Sequence, residues 1–191
     1  MTKLLTPKIL LMLLMSFFYT SAIAHDIEVK NAYGVTIYFK WINDKTELEV
    51  SYRGDKSGAF SNEYLGNVVI PKSVNYNGTT YSVTSICRDA FSVCSGLTSI
   101  TIPSSVISIG HWAFFRSGLV SIIIPNSVTT IGNDAFYNCS GLTYIDSEIE
   151  SPFRVDCFDS TIYHQPTLSV PRGTKVARAM ARYRWSWERI P

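Results

Sequence analysis

A chain of 191 residues with a formal net charge of +2 is long enough for one domain with a sizeable core. Its near balance of charge leaves no long-range pull toward nucleic acid. Only 17% of the residues are charged and 46% are hydrophobic, a bias to which the first two dozen residues contribute. Lys3 and Lys8 open those residues, and an apolar run from Ile9 to Tyr19 follows, broken only by Ser16. Ala22-Ile23-Ala24 then offers the small side chains a signal peptidase cleaves beside. Residues 1–24 therefore read as a signal peptide, with an uncleaved anchor as the competing reading. The run is shorter than the ~20 residues a membrane span needs, and no later segment is apolar enough for one. His25, not Cys, follows the expected cut, which disfavours a lipid anchor. The mature chain is expected to begin near His25 and to be exported: secreted, periplasmic or on the cell surface.

Residues 25–66 form an N-terminal β capping region. Val35–Ile42 and Glu47–Tyr52 alternate well enough to be two strands joined across Asn43-Asp44-Lys45-Thr46. A hairpin here would cover the open first edge of whatever is stacked behind it.

From 67 to 160 the chain repeats itself. Ser95-Gly96-Leu97-Thr98-Ser99-Ile100-Thr101-Ile102-Pro103 recurs from Ser117 to Pro125 and again from Ser140 to Ile145, at spacings of 22 and 23 residues. A second block, Val106-Ile107-Ser108-Ile109-Gly110, is matched from Val83 to Cys87 and from Val128 to Gly132. An Ala-Phe pair follows each block, at Ala90-Phe91, Ala113-Phe114 and Ala135-Phe136, with Cys157-Phe158 one period on. The first coil carries nine extra residues, Asn75 to Val83, whose Asn77-Gly78 signals a two-residue hairpin turn. The Ser117 coil is one residue short, and reads as lacking the Cys that stands at Cys94 and Cys139.

A period of this length with Leu-x-x-Ile-x-Ile falls within the leucine-rich-repeat range. Leu97, Ile100 and Ile102 point inward from a short strand that one coil alone cannot bury. Stacked coils would turn Leu97/Leu119/Leu142, Ile100/Ile122/Ile145, Ile109/Ile131 and Phe91/Phe114/Phe136/Phe158 into continuous ladders, each side chain contributing roughly 1.5–3 kcal/mol. The expected fold is a β-rich leucine-rich-repeat solenoid of about four coils, with short parallel strands, turns and short helical segments. The sheet would then span only ~20 Å.

The pattern Gly-Leu-Thr-Ser-Ile-Thr-Ile-Pro-x-Ser-Val-x-Ser-Ile-Gly-x-x-Ala-Phe resembles the BspA-like leucine-rich repeats of exported proteins from anaerobic Gram-negative bacteria. The resemblance runs from about Asn67 to the C-terminus, where Thr167 to Thr174 is similar to the closing Leu-x-Val-Pro-x-Gly-Thr of that family. It implies a non-catalytic interaction protein, with adhesion to host matrix or bacterial surface proteins among the roles. Residues 161–191 are expected to be a C-terminal cap. In it Thr174 starts a capping helix over Lys175–Arg184, with Val176, Ala179, Met180 and Tyr183 on one face. Lys175, Arg178 and Arg182 read as the solvated side of that helix. With Arg184 and Arg189 they have a second reading, as a basic patch for acidic glycans or lipid headgroups.

Little in the chain points to catalysis, cofactors or metals. The histidines are His25, His111 and His164, and no metalloprotease, nucleophile-elbow or phosphate-loop pattern occurs. Zinc-ligand spacing is missing among the four cysteines. Cys94 and Cys139 share a slot two coils apart, about 10 Å by strand spacing, beyond disulfide reach. Buried thiols are expected, with Cys87–Cys94 and Cys139–Cys157 left open as pairs. The candidate partner-binding face is the set of outward strand positions: Thr98, Ser99 and Thr101; Val120, Ser121 and Ile123; Thr143, Tyr144 and Asp146. Ile123 and Tyr144 are its expected anchors, since apolar and aromatic groups dominate hot spots. A protein partner is the first expectation. A carbohydrate-binding module using Trp41, Trp185 and Trp187 is the alternative, and nucleic acid is not expected.

Overall fold

The computed structural model describes residues 25–54, 62–147 and 157 and the backbone of two later strands, 167–170 and 187–189. The expected signal peptide and capping helix, along with Phe158, His164 and Trp185, lie outside the described residues.

Two sheets face each other across the core. One is an unbroken parallel ladder of six strands, β4 (Gly66–Val69), β7 (Leu97–Thr101), β9 (Ser121–Ile124), β11 (Tyr144–Ser147), β12 (Thr167–Val170) and β13 (Trp187–Arg189), adjacent in that order. Its members recur once per coil because each strand must return to the same edge to bury its apolar row. Ile100 pairs with Ile122, Ile122 with Ile145, and Ile145 with Leu168. The ladder thus runs past residue 160 into the segment read from sequence as the closing cap.

The other sheet was not foreseen as such. It runs β1 (Ile27–Lys30), β2 (Thr36–Ile42), β3 (Glu47–Ser51), β6 (Thr79–Ile86), β8 (Ser108–Ile109) and β10 (Thr130–Ile131), with β5 (Ser73–Tyr76) also on β6. β2 and β3 are the expected hairpin, with Asn43, Asp44 and Lys45 all at positive φ in its turn. β3 then lies parallel to β6, so the hairpin covers the first edge of this sheet only. On the opposite sheet the side-chain amide of Asn31 donates to Val69 O at the outer strand, 3.0 Å. The insertion forms β5 and the start of β6 around Asn77-Gly78, at φ 51° and 81°, and pairs Ser73 with Ser82 as two copies of one position.

A third ladder closes the coil on its remaining side. Asp89, Phe91 and Val93 donate their amides to His111, Ala113 and Phe115 of the next coil; Trp112, Phe114 and Arg116 do the same to Asn133, Ala135 and Tyr137. Phe136 N donates to Cys157 O, which puts Cys157 in the Ala slot as its spacing suggested. Where short helical segments were expected, the described residues hold turns and no α-helix. The cause is this bonding pattern: every second amide is spent on the neighbouring coil, and those between close i→i−3 turns within their own, so no i→i−4 run forms. It also sets every coil a left-handed residue at the same two places, Asp89, Trp112 and Asp134, and Val93, Arg116 and Asn138.

The core is a set of columns. Leu97, Leu119 and Leu142 are buried, as are Ile86, Ile109 and Ile131. Phe91, Phe114 and Phe136 stack nearly parallel, with centroids 5.2 and 5.1 Å apart. Tyr64 begins that column, 4.6 Å from Phe91. Gly110 and Gly132 lie where coils press together: a Cβ on them would sit 2.5 Å from Arg88 N and 2.4 Å from His111 N. Cys87 heads that column, and its thiol packs against Ser51 of the hairpin instead of a previous coil.

The short coil lacks a serine, not the cysteine expected from its sequence. Cys94, Ser117 and Cys139 each donate a backbone amide to the Phe three residues earlier. Ser117 therefore fills the cysteine slot, and the missing residue is the serine found at Ser95 and Ser140. The shortcut draws Gly118 so close to the preceding coil that a Cβ would lie 1.9 Å from Ser95 O.

Candidate interaction face

The outward side of the six-stranded sheet is built by alternation. Along β7, Ile100 is buried while Ser99 and Thr101 face away from the core. Parallel pairing then lines equivalent positions into rows. Asn67, Ser99, Ser121, Tyr144 and Thr167 share one row. Ile123, Asp146, Ser169 and Glu188 share the next. Thr98, Val120 and Thr143 form a third at the strand entrances, joined by Val120 N to Thr98 O and Thr143 N to Val120 O.

All nine positions singled out from sequence fall on this one face. Thr98, Thr101, Val120, Ile123, Thr143 and Tyr144 are exposed, and Ser99, Ser121 and Asp146 are half-buried. Ile123 is 54% exposed, Val120 48% and Tyr144 36%. Three apolar groups thus stand in water on two adjacent strands, beside Asp146, which is opposite Ile123 in the strand register. Leu65, just before β4, is 59% exposed and lies outside the nine. The row hydrogen bonds are short-range: Ser99 Oγ donates to Asn67 Oδ1 at 2.9 Å, and Thr143 Oγ1 to Val120 O at 3.2 Å. The rows therefore present a flat, preformed surface with few fixed charges.

The aromatic residues proposed for a glycan platform are placed differently. Trp41 is half-buried, edge-on to Tyr76 and Tyr81 at 5.9 and 4.5 Å. Trp187 lies in β13. Trp112 is sandwiched between the Arg88 guanidinium, 4.7 Å from its centroid, and the His111 ring at 4.6 Å. Phe115 carries Arg116 at 5.1 Å and Tyr137 at 5.8 Å. The ring faces of Trp112 and Phe115 are thus occupied by the protein's own side chains.

No arrangement for nucleophilic chemistry stands out among the described residues. His111 is half-buried, with Nδ1 against Asn133 O, and His25 packs on Tyr38 at 4.6 Å. Cys87, Cys94 and Cys139 are free thiols, and Cys94, Cys139 and Cys157 are buried. Burial pushes Cys87 up to about 12 and Cys94 and Cys139 up to about 11, so none of these three offers a thiolate at neutral pH. Among the described residues, no group of three His, Cys, Asp or Glu is placed to hold a metal.

A family model for the BspA type leucine-rich repeat region matches residues 56–169 in 6 copies. No curated protein matches the chain. Among solved structures, a leucine-rich cell surface protein from Faecalibacterium prausnitzii aligns at 24% identity and a TM-score of 0.49, over 78% of this chain and 38% of its own. A leucine-rich repeat protein from Bacteroides ovatus aligns at 23% and 0.39, over 71% and 48%. One from Bacteroides capillosus aligns at 20% and 0.39, over 87% and 100%. The chain thus spans less than half the length of the first two.

Proposed function

We propose that this chain, which belongs to the BspA-type leucine-rich-repeat family, is an exported, non-catalytic module that binds a protein partner through the outer face of its six-stranded sheet. The observation that carries this reading is the patch of Val120, Ile123 and Tyr144. Three exposed apolar side chains cluster on strands whose other outward positions are, Asp146 apart, Ser, Thr and Asn. The fold does not call for them: the equivalent positions on β7 are Thr98, Thr101 and Ser99. Adjacent exposed apolar groups rimmed by small polar ones are the composition of a protein hot spot.

The division of the chain that goes with this reading is a signal peptide over 1–24, a β cap over 25–66, repeats over 67–160 and a closing region over 161–191. Adhesion to host matrix or bacterial surface proteins is the role that suits an exported repeat module of this family. The Ile123→Asp, Tyr144→Asp double variant tests the face against a panel of purified matrix and bacterial surface proteins. Both side chains are solvent-facing, so the melting transition should stay within a few degrees of wild type while binding to any partner found is lost. Unchanged binding by a folded double variant would remove this face from consideration.

A further inference from the structure

Where the hairpin hands over to the first coil, the outer side of the other sheet holds a cleft of about 280 Å³. It arises from an irregularity: β3 and β6 slip register between Leu48 and Glu49, and Thr84 is skipped. Glu49 is then opposite both Lys40 of β2 and Ser85 of β6. Lys40, Glu49, Tyr52, Arg88 and Asp89 all line the cleft. Its walls therefore offer two cationic donors and two carboxylate acceptors. Burial raises the Glu49 carboxyl although Lys40 nearby lowers it, and neither group makes an ion pair within 4.0 Å among the described residues.

Arg88 is held ready. Its Nε donates to Asp89 Oδ2 at 3.2 Å, and its guanidinium lies on the Trp112 ring, leaving the remaining N–H groups for a ligand. Trp112 departs from its column: the same slot is Asp89 one coil earlier and Asp134 one coil later, all three at positive φ. A bulky residue is costly in that conformation and the solenoid does not require it. What Trp112 does there is fix the arginine that lines the cleft.

We propose that this cleft binds the end residue of a neutral glycan, with Glu49 and Asp89 accepting from its hydroxyls and Lys40 and Arg88 donating to them. A simple anion would meet two carboxylates, whereas a sugar hydroxyl both donates and accepts and suits walls of mixed sign. The cleft is on the sheet opposite the proposed protein-binding face, so the two sites are independent.

The test is titration of the nitrogen-15-labelled full chain with maltotriose, cellotriose and triacetylchitotriose, with glycine and inorganic phosphate as the zwitterion and anion controls. Saturable shifts of the Lys40, Glu49 and Arg88 amides are expected with at least one sugar and with neither control. Glu49→Ala and Arg88→Ala should each weaken that binding at least about tenfold, as loss of a charged hydrogen-bond partner does. Trp112→Asp restores the residue of the neighbouring coils, so it should fold normally. It should bind roughly three- to tenfold more weakly, because Arg88 is no longer immobilised in advance. The Ile123→Asp, Tyr144→Asp variant should bind the sugar as wild type does, which separates this site from the strand face. The proposal is overturned if none of the sugars shifts these amides, if glycine or phosphate shifts them in place of sugars, or if the folded Glu49 and Arg88 variants bind undiminished.

Discussion

Val93 sits at φ 60°, a conformation that crowds a β-branched side chain, while Asn138 occupies the same column two coils on at φ 57°. Asn tolerates this region through local hydrogen bonding, so Val93→Asn should raise stability by about 0.5–1 kcal/mol, read from chemical denaturation. Gly110 obeys the opposite logic. Its φ is ordinary, but the Arg88 backbone occupies the space a methyl would need, so Gly110→Ala should cost about 1–3 kcal/mol. Glu63 adds a dependence on pH. Burial lifts its carboxyl from 4.5 to about 7, against the Arg53 amide that donates to both oxygens at 3.0 Å. A carboxyl raised on folding stabilises most when protonated. Its contribution is complete below the unfolded value and is lost as pH climbs through the folded one. The melting temperature should therefore fall between roughly pH 5 and pH 8, and fall less in Glu63→Gln. An identical pH profile for that variant would mean that another group governs the slope.

At the scale of elements, the joint between hairpin and solenoid depends on Tyr64. Its hydroxyl accepts from Tyr38 N at 3.2 Å and donates to Ser51 O at 2.9 Å, so one side chain ties β2 and β3 to the head of the Phe column. Tyr64→Phe keeps the ring and strands two buried backbone groups, at a cost of about 1–3 kcal/mol. Hydrogen exchange should localise the loss to β2 and β3; an even loss across all coils would contradict this account. Sequence could not show this joint, because Tyr64 has one copy and a periodic reading detects only what recurs. The same limit explains β1, whose four residues have no partner signal of their own. It also explains β8 and β10, two-residue strands too short for alternation to register and made into strands by the coils stacked on either side. What recurs was legible: the Ile and Phe ladders and all nine outward positions follow from the period, and the Asn77-Gly78 turn follows from its own dipeptide. The cleft was not, because it arises where the period breaks, at the slip between Leu48 and Glu49.

For the whole molecule, the decisive property is that each coil is buried only by its neighbours, so stability is carried along the stack by nearest-neighbour contacts. Phe114 is the middle of its column, stacked on Phe91 and on Phe136, and fully buried. Removing it opens a cavity shared by three coils and deletes two ring contacts, so Phe114→Ala should cost about 3–5 kcal/mol. The position of the loss matters as much as its size. In a globular core the cavity would lower protection everywhere together. In a linear stack it weakens the coupling at one point, and the hairpin side keeps its own buried group of Ile37, Phe39, Leu48 and Val50. Amide exchange in Phe114→Ala should therefore rise most from β7 to β11 and least in β2 and β3, and the denaturation curve should broaden as the two sides begin to unfold separately. A variant that lost protection uniformly, in one sharp transition, would show that coupling reaches beyond adjacent coils. A partner bound across β7, β9 and β11 would then stabilise the hairpin as strongly as the coils it touches.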